Sequence, residues 1–153
     1  MAYLSKSVLL LKLQHYCAYQ ERCHSEVRSK LLSLGARGDL VEEVISALIT
    51  DNYLNESRFA CAYVRGKFYQ KQWGKQKIVR ELKMRNINDF IIDEALHEIS
   101  ENDYIDSCKS LLIKALYGYS KHLNARQKAI SFMMNKGYEY DIITSVLIST
   151  NSD

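Results

Sequence analysis

Lys75-Gln76-Lys77-Ile78-Val79-Arg80-Glu81-Leu82-Lys83-Met84-Arg85-Asn86-Ile87-Asn88-Asp89-Phe90-Ile91-Ile92-Asp93-Glu94-Ala95-Leu96 carries the pattern that decides the fold. Ile78, Val79 and Leu82 fall at i, i+1 and i+4, the spacing of an apolar stripe on one helix face. Ile91, Ile92, Ala95 and Leu96 draw a second stripe. Between them stands Asn86, a residue that tolerates the left-handed conformation ending many helices. The same pattern recurs 51 residues upstream and 51 downstream, with Gly35 and Gly137 in the column of Asn86. Val27, Ile78 and Ala129 coincide, as do Leu31, Leu82 and Met133. Leu40, Ile91 and Ile142 align, followed by Val41, Ile92 and Ile143, by Val44, Ala95 and Val146, and by Ile45, Leu96 and Leu147.

Working outward, Leu9, Ala60 and Leu111 align without a gap, and so do Leu13, Val64 and Ala115. Apolar columns held through three copies mark tandem repeats of one unit. Each unit reads as three helices: 5–20, 25–34 and 40–50; 56–72, 75–85 and 89–100; 103–118, 125–136 and 140–149. The repeats then occupy residues 1–52, 53–103 and 104–153. The expected fold is all-α, with three tandem three-helix repeats of about 51 residues in an elongated, curved body. A unit this small buries too little surface alone, so the three should pack on one another. Asp39 with Glu42, and more weakly Asn124 with Gln127, read as capping boxes.

Composition agrees. The chain of 153 residues is 47% hydrophobic and 25% charged, with no proline and six glycines, which suits helices joined by short turns. The apolar run Val8–Leu11 lies between Lys6 and Lys12 and is too short for a signal core or a membrane span, so a cytoplasmic protein is expected. Cys17, Cys23, Cys61 and Cys108 form no C-x-x-C pair. Reduced, mostly buried thiols are expected rather than a metal site with His15 and His24. Tyr16, Tyr19, Tyr63 and Tyr69 lie on helices that must pack, and core use is expected of each.

The formal charge of +3 conceals a strong polarity. Arg58, Arg65, Lys67, Lys71, Lys75, Lys77, Arg80, Lys83 and Arg85 face a single acid, Glu81, in their span, leaving +8. The next stretch, residues 86–107, holds seven acids and no lysine or arginine. Like charges held close on helices repel, and a partner rich in phosphates or carboxylates relieves that repulsion. Pairing with the acidic helix at 89–100 is the competing expectation. Trp73-Gly74 has no counterpart in the other copies. Its indole either packs as a hydrophobic staple for the following helix or stacks on a base. A secondary basic patch lies at Lys121, Arg126 and Lys128.

No phosphate-cradling glycine loop and no nucleophile elbow occurs, and the four histidines stand in unrelated contexts. Asp89, Asp93, Glu94 and Glu98 read as an exposed acidic face rather than a catalytic dyad. Neither catalysis nor a cofactor is expected.

Tyr53-Leu54-Asn55-Glu56-Ser57-Arg58-Phe59-Ala60, Tyr63-Val64-Arg65, Trp73-Gly74, Lys77-Ile78 and Glu81-Leu82 resemble the central motif of the RecX family. Ser25–Leu31 resembles that family's S-E-x-E-L-R-x-K-L helix, and Gly137–Ile143 its closing motif. Asn86 departs from the glycine more usual there. The resemblance implies three tandem three-helix repeats without an active site. It implies binding in the groove of a RecA–DNA filament, on single-stranded DNA held by RecA, with inhibition of ATP hydrolysis and strand exchange. No membrane partner is expected, because the apolar run at Val8–Leu11 is too short to span a bilayer. Two other readings stay open: a direct DNA-binding module, with Gln76, Arg80 and Asn86 offered by one helix, and a helical-repeat adaptor for protein alone.

Overall fold

The structure, a computed structural model, describes residues 3–151; residues 1, 2, 152 and 153 of the expected outer repeats lie outside the described residues. Among the described residues it contains nine α-helices and no strand. Repeat 1 is α1 (Lys6–Tyr19), α2 (His24–Ser33) and α3 (Asp39–Thr50). Repeat 2 is α4 (Glu56–Arg65), α5 (Lys75–Met84) and α6 (Asp89–Ala95), and repeat 3 is α7 (Glu101–Gly118), α8 (Ala125–Asn135) and α9 (Tyr140–Asn151). None of the described helices is long and apolar enough to cross a membrane.

The repeat is visible in the backbone itself. Gly35, Asn86 and Gly137 take left-handed φ angles of 94°, 62° and 103°. In each copy the following amide reaches back five residues: Ala36 to the Leu31 carbonyl, Ile87 to Leu82 and Tyr138 to Met133, at 3.0–3.2 Å. This satisfies the last carbonyls of α2, α5 and α8 in the same way. The aligned apolar columns share their depth too. Val27, Ile78 and Ala129 are fully buried, as are Leu31, Leu82 and Met133.

Side-chain caps of Ser5, Asn55, Asn88 and Ser100 open α1, α4, α6 and α7. The two capping boxes expected from sequence do not form. Gly38, with φ 62°, is the residue before α3, so Asp39 lies inside the helix and Glu42 instead meets Arg28. Asn124 precedes α8 with ψ 42°, away from the extended backbone that aims a cap at the first amides. A box does form at α2, where the Glu26 carboxylate accepts from the Cys23 amide at 3.2 Å.

The core is divided unequally. Phe59, Val64, Phe68, Ile78, Leu82 and Ile92 of repeat 2 pack in one cluster with Leu112, Met133, Tyr138 and Ile143 of repeat 3. Repeat 1 closes around its own Leu9, Leu13, Val27, Leu31, Val44 and Leu48. Two residues cross over: Cys23 enters the larger cluster and Leu54 the smaller. Accessible surface totals 9470 Å², against roughly 8,000 Å² for a compact chain of this mass, the excess of an elongated body. Tyr19, expected in the core, is 84% exposed, and Tyr69 turns outward to give its hydroxyl to Asp103 at 2.7 Å. Both sit on the outer sides of helices whose inner stripes are already filled. Cys17, Cys23 and Cys108 are buried, Cys61 is half-buried, and all four are free thiols.

Candidate nucleic-acid interface

The most basic part of the sequence winds through an irregular stretch of backbone. After Arg65 the helix α4 widens into a π-helical turn, Gly66–Gln70, and Gln72 then takes a left-handed φ of 58°. A non-glycine residue there costs roughly 1 kcal/mol, a strain that persists only where the surroundings impose it. The Trp73 amide reaches back to the Lys67 carbonyl at 3.0 Å, closing the turn. Trp73 is half-buried, its ring edge-on to Tyr63 at 6.5 Å, and it packs against the shared core. Lys67 and Lys77 lie over the indole at 4.8 and 4.3 Å.

The nine basic residues separate into two groups. Four find acids within the chain. Arg58 pairs with Glu21 at 2.6 Å, Arg65 with Glu98 at 3.2 Å, Arg85 with Glu81 at 3.3 Å and Lys83 with Asp89 at 3.7 Å. Arg58 also donates to the Asn52 carbonyl at 3.0 Å. Arg65 and Lys83 thus meet the acidic segment after Asn86, the competing expectation. The other five, Lys67, Lys71, Lys75, Lys77 and Arg80, have no carboxylate within 4.0 Å among the described residues. Lys75 lies over the Tyr104 ring at 4.5 Å.

Repeat 3 adds a lysine that the sequence reading missed. Lys136 donates from Nζ to the Lys71 carbonyl at 3.1 Å. Burial, with neighbouring Lys77, holds its ammonium below the usual lysine range. Lys67 and Lys77 therefore lie against Trp73, with Lys136 beside Lys77 and the Lys71 carbonyl, where repeats 2 and 3 meet, and none of these lysines belongs to an ion pair of the described residues.

That junction is fixed by backbone. The Gly74 amide donates to the Lys136 carbonyl at 2.7 Å and the Gln76 amide to the Gly137 carbonyl at 2.9 Å. The Tyr104 hydroxyl accepts from the Lys75 amide at 2.9 Å and donates to Glu139. Tyr138 bonds Ser107 at 2.9 Å and the Gln72 carbonyl at 3.1 Å, and its ring stacks on Tyr104 at 5.2 Å. Burial pushes the Tyr138 phenol up to about 12 and holds Tyr104 still higher, so both remain neutral donors. The uniqueness of Trp73-Gly74 among the repeats was the one sequence signal pointing to this contact.

Beside the junction, between repeats 1 and 2, lies a groove of about 380 Å³ lined by Glu21, Glu26, Tyr63, Lys67, Lys71 and Arg85. On the outer side of α5, Lys75, Arg80 and Lys83 surround a shallow cleft with Val79. The secondary patch, Lys121, Arg126 and Lys128, is exposed at and before the start of α8. Among the described residues no three His, Cys, Asp or Glu side chains gather as metal ligands.

Two family descriptions match the chain: RecX, second three-helix domain, over residues 55–96, and RecX, third three-helix domain, over residues 101–147. The regulatory protein RecX of Bacillus cytotoxicus is 32% identical over 130 residues, which is 84% of this chain and 48% of the relative. That of Bacillus mycoides is 30% identical over the same length and shares. The chain spans about half the length of the curated relatives it matches. The crystal structure of RecX from Lactobacillus salivarius superposes with a TM-score of 0.86 at 27% identity, covering 97% of both chains. Another crystal structure of regulatory protein RecX, 21% identical, shares the fold at a TM-score of 0.84 over 92% of this chain and 70% of that one. With both three-helix descriptions aligned on repeats 2 and 3, the chain belongs to the RecX family.

Proposed function

We propose that this chain is a regulator of the RecA recombinase, binding the RecA–DNA filament and lowering its ATP hydrolysis and strand exchange. The observation that carries this reading is the group of lysines without ion pairs at Trp73: Lys67 and Lys77 over the indole, with Lys136 beside Lys77. A filament on single-stranded DNA presents a continuous line of phosphates. Lysines already crowded together gain most from such a partner, because binding relieves their repulsion and releases counterions. The indole offers a face for a base or an arginine once Lys67 and Lys77 turn to phosphates. The elongated body suits lying along a filament groove. No bond making or breaking is assigned to this chain.

The test is ATP hydrolysis by a preformed RecA–single-strand filament titrated with the purified chain. A stoichiometric fall in rate is expected, steeper at low salt. A rate unaffected at saturating chain would overturn the reading.

A further inference from the structure

We infer that the exposed face of α8 in repeat 3 is a second binding surface, separate from the Trp73 junction, whose partner is duplex DNA. Residues 107–135 hold five basic residues, Lys109, Lys114, Lys121, Arg126 and Lys128, and no acid. None of the five belongs to an ion pair of the described residues. The other repeats differ. There the third helix supplies acids to the second: Glu42 of α3 pairs with Arg28 of α2, and Asp89 of α6 with Lys83 of α5. In the columns of Glu42/Asp93 and Glu43/Glu94, repeat 3 has Thr144 and Ser145, and Asp141 is the sole acid of α9. Arg28 and Lys83 themselves fall in the columns of Ile130 and Met134, so the cations of α8 stand at other positions, Arg126 and Lys128; among the described residues no acid of α9 pairs with them, and their charge is left for an outside partner.

The shape of that face favours a duplex. Asn124, Gln127, Lys128, Ser131 and Asn135 recur at i, i+3, i+4, i+7 and i+11, so they form one stripe, all exposed. Ala129 and Met133, fully buried, hold the opposite side in the core. The stripe extends about 16 Å along a rigid helix. Amides and hydroxyls carried on a helix are the groups that read base edges in a major groove, while flanking cations hold phosphates. Lys121, Arg126 and Lys128 supply the flank at the end of α8 where the helix dipole also favours anions. Tyr119, which shares the shallow pocket beside the stripe, turns edge-on to His122 at 5.7 Å and is not arranged as a stacking platform for a single strand. On α5, by contrast, Lys77 turns to Trp73 and Lys83 to Asp89.

The experiment is fluorescence anisotropy of the full chain with a short mixed-sequence duplex, run beside the filament ATPase assay. Replacing Arg126→Ala with Lys128→Ala is expected to weaken duplex binding about tenfold and to lessen the log–log salt slope by about 2. Replacing Gln127→Ala with Asn135→Ala should weaken it severalfold at an unchanged salt slope, because no charge is removed. Circular dichroism should show unchanged helicity, since every changed side chain is exposed. Duplex affinity unaltered by Arg126→Ala/Lys128→Ala overturns the surface, and so does an equal loss of single-strand and duplex binding. Lys71→Ala/Lys77→Ala should weaken filament regulation and leave duplex affinity within twofold. Filament regulation retained in that variant overturns the junction reading alone.

Discussion

Gly74 and Gly137, one from each of two successive repeats, meet backbone to backbone. A Cβ on Gly74 would overlap the Gly137 carbonyl and the Tyr138 amide, and one on Gly137 would stand 2.7 Å from the Lys77 nitrogen. Gly137 thus meets two requirements: its φ of 103° ends α8, and its bare Cα admits the start of α5. The contact also sets the distance between Lys136 and the lysines around Trp73. Gly74→Ala is expected to cost about 3 kcal/mol or more, because the obstacle is backbone that no rotamer change can clear. Thermal unfolding should fall by roughly 10 °C. Gly118→Ala, at the end of α7 with open space around it, is the control and should be neutral or slightly stabilising. Equal melting temperatures for the two variants would contradict the junction.

Repeat 1 is joined to the rest by different means. Apart from the crossing side chains Cys23 and Leu54 its core is its own, and the seam carries ion pairs: Arg58 to Glu21 at 2.6 Å, and His24 to Glu56 at 3.7 Å. Among the described residues Glu21 leaves its Oε2 buried without a hydrogen-bond partner, so the seam is incompletely satisfied. Hydrogen exchange should show α1–α3 opening before α7–α9. Arg58→Ala should cost roughly 1 kcal/mol, a modest figure because an arginine 37% exposed is screened by water. It should speed exchange in α1–α3 alone, and uniform loss of protection across all nine helices would contradict a separable repeat 1.

Alkaline pH should weaken the larger core. Burial raises the Cys108 thiol from 9.0 to about 11 and the Tyr138 phenol to about 12. A group whose folded value lies above its unfolded one binds the proton more tightly when folded. The stability from Cys108 is therefore full below pH 9 and is lost between pH 9 and about 11, amounting to roughly 2–3 kcal/mol. Cys108→Ala should flatten the fall in melting temperature over that interval. The same burial should make Cys108 slow toward thiol reagents at pH 8, slower than half-buried Cys61.

The repeat, the nine helices and their buried columns were legible in the sequence because each rests on periodicity within about fifty residues. What was not legible depends on pairs far apart in the chain. Arg58 finds Glu21, 37 residues away, and Lys136 finds the Lys71 carbonyl, 65 away. No spacing rule joins those positions. The divided core was hidden for the same reason, since aligned apolar columns say that each unit has an inside but not which insides merge. Asp39 and Asn124 misled because capping turns on backbone angles, which Gly38 and Asn124 set differently from the pattern. Tyr19 and Tyr69 misled because aromatic character marks a preference for burial without saying which side of a helix is taken.

The structure changes which cations should be tested for filament binding. A triple change of Lys77, Arg80 and Lys83, chosen by spacing along α5, mixes a junction lysine with one already paired to Asp89 at 3.7 Å. Lys77 and Lys136 instead stand together, Lys136 donates to the carbonyl of Lys71, and none of the three belongs to an ion pair of the described residues. If each contacts a phosphate, Lys71→Ala/Lys77→Ala/Lys136→Ala should reduce the log–log salt slope for single-strand filament binding by about 2, at roughly 0.7 per contact. Inhibition of ATP hydrolysis should weaken in step. The matched comparison is Arg65→Ala with Lys83→Ala, which removes cations occupied by Glu98 and Asp89 and should move the slope by less than half as much. Helicity should persist in both, because alanine is a good helix former and the changed side chains lie outside the core. The slope of each variant in the same salt titration decides between them: a larger change from the paired residues would place the anion-binding surface on the acidic side of repeat 2.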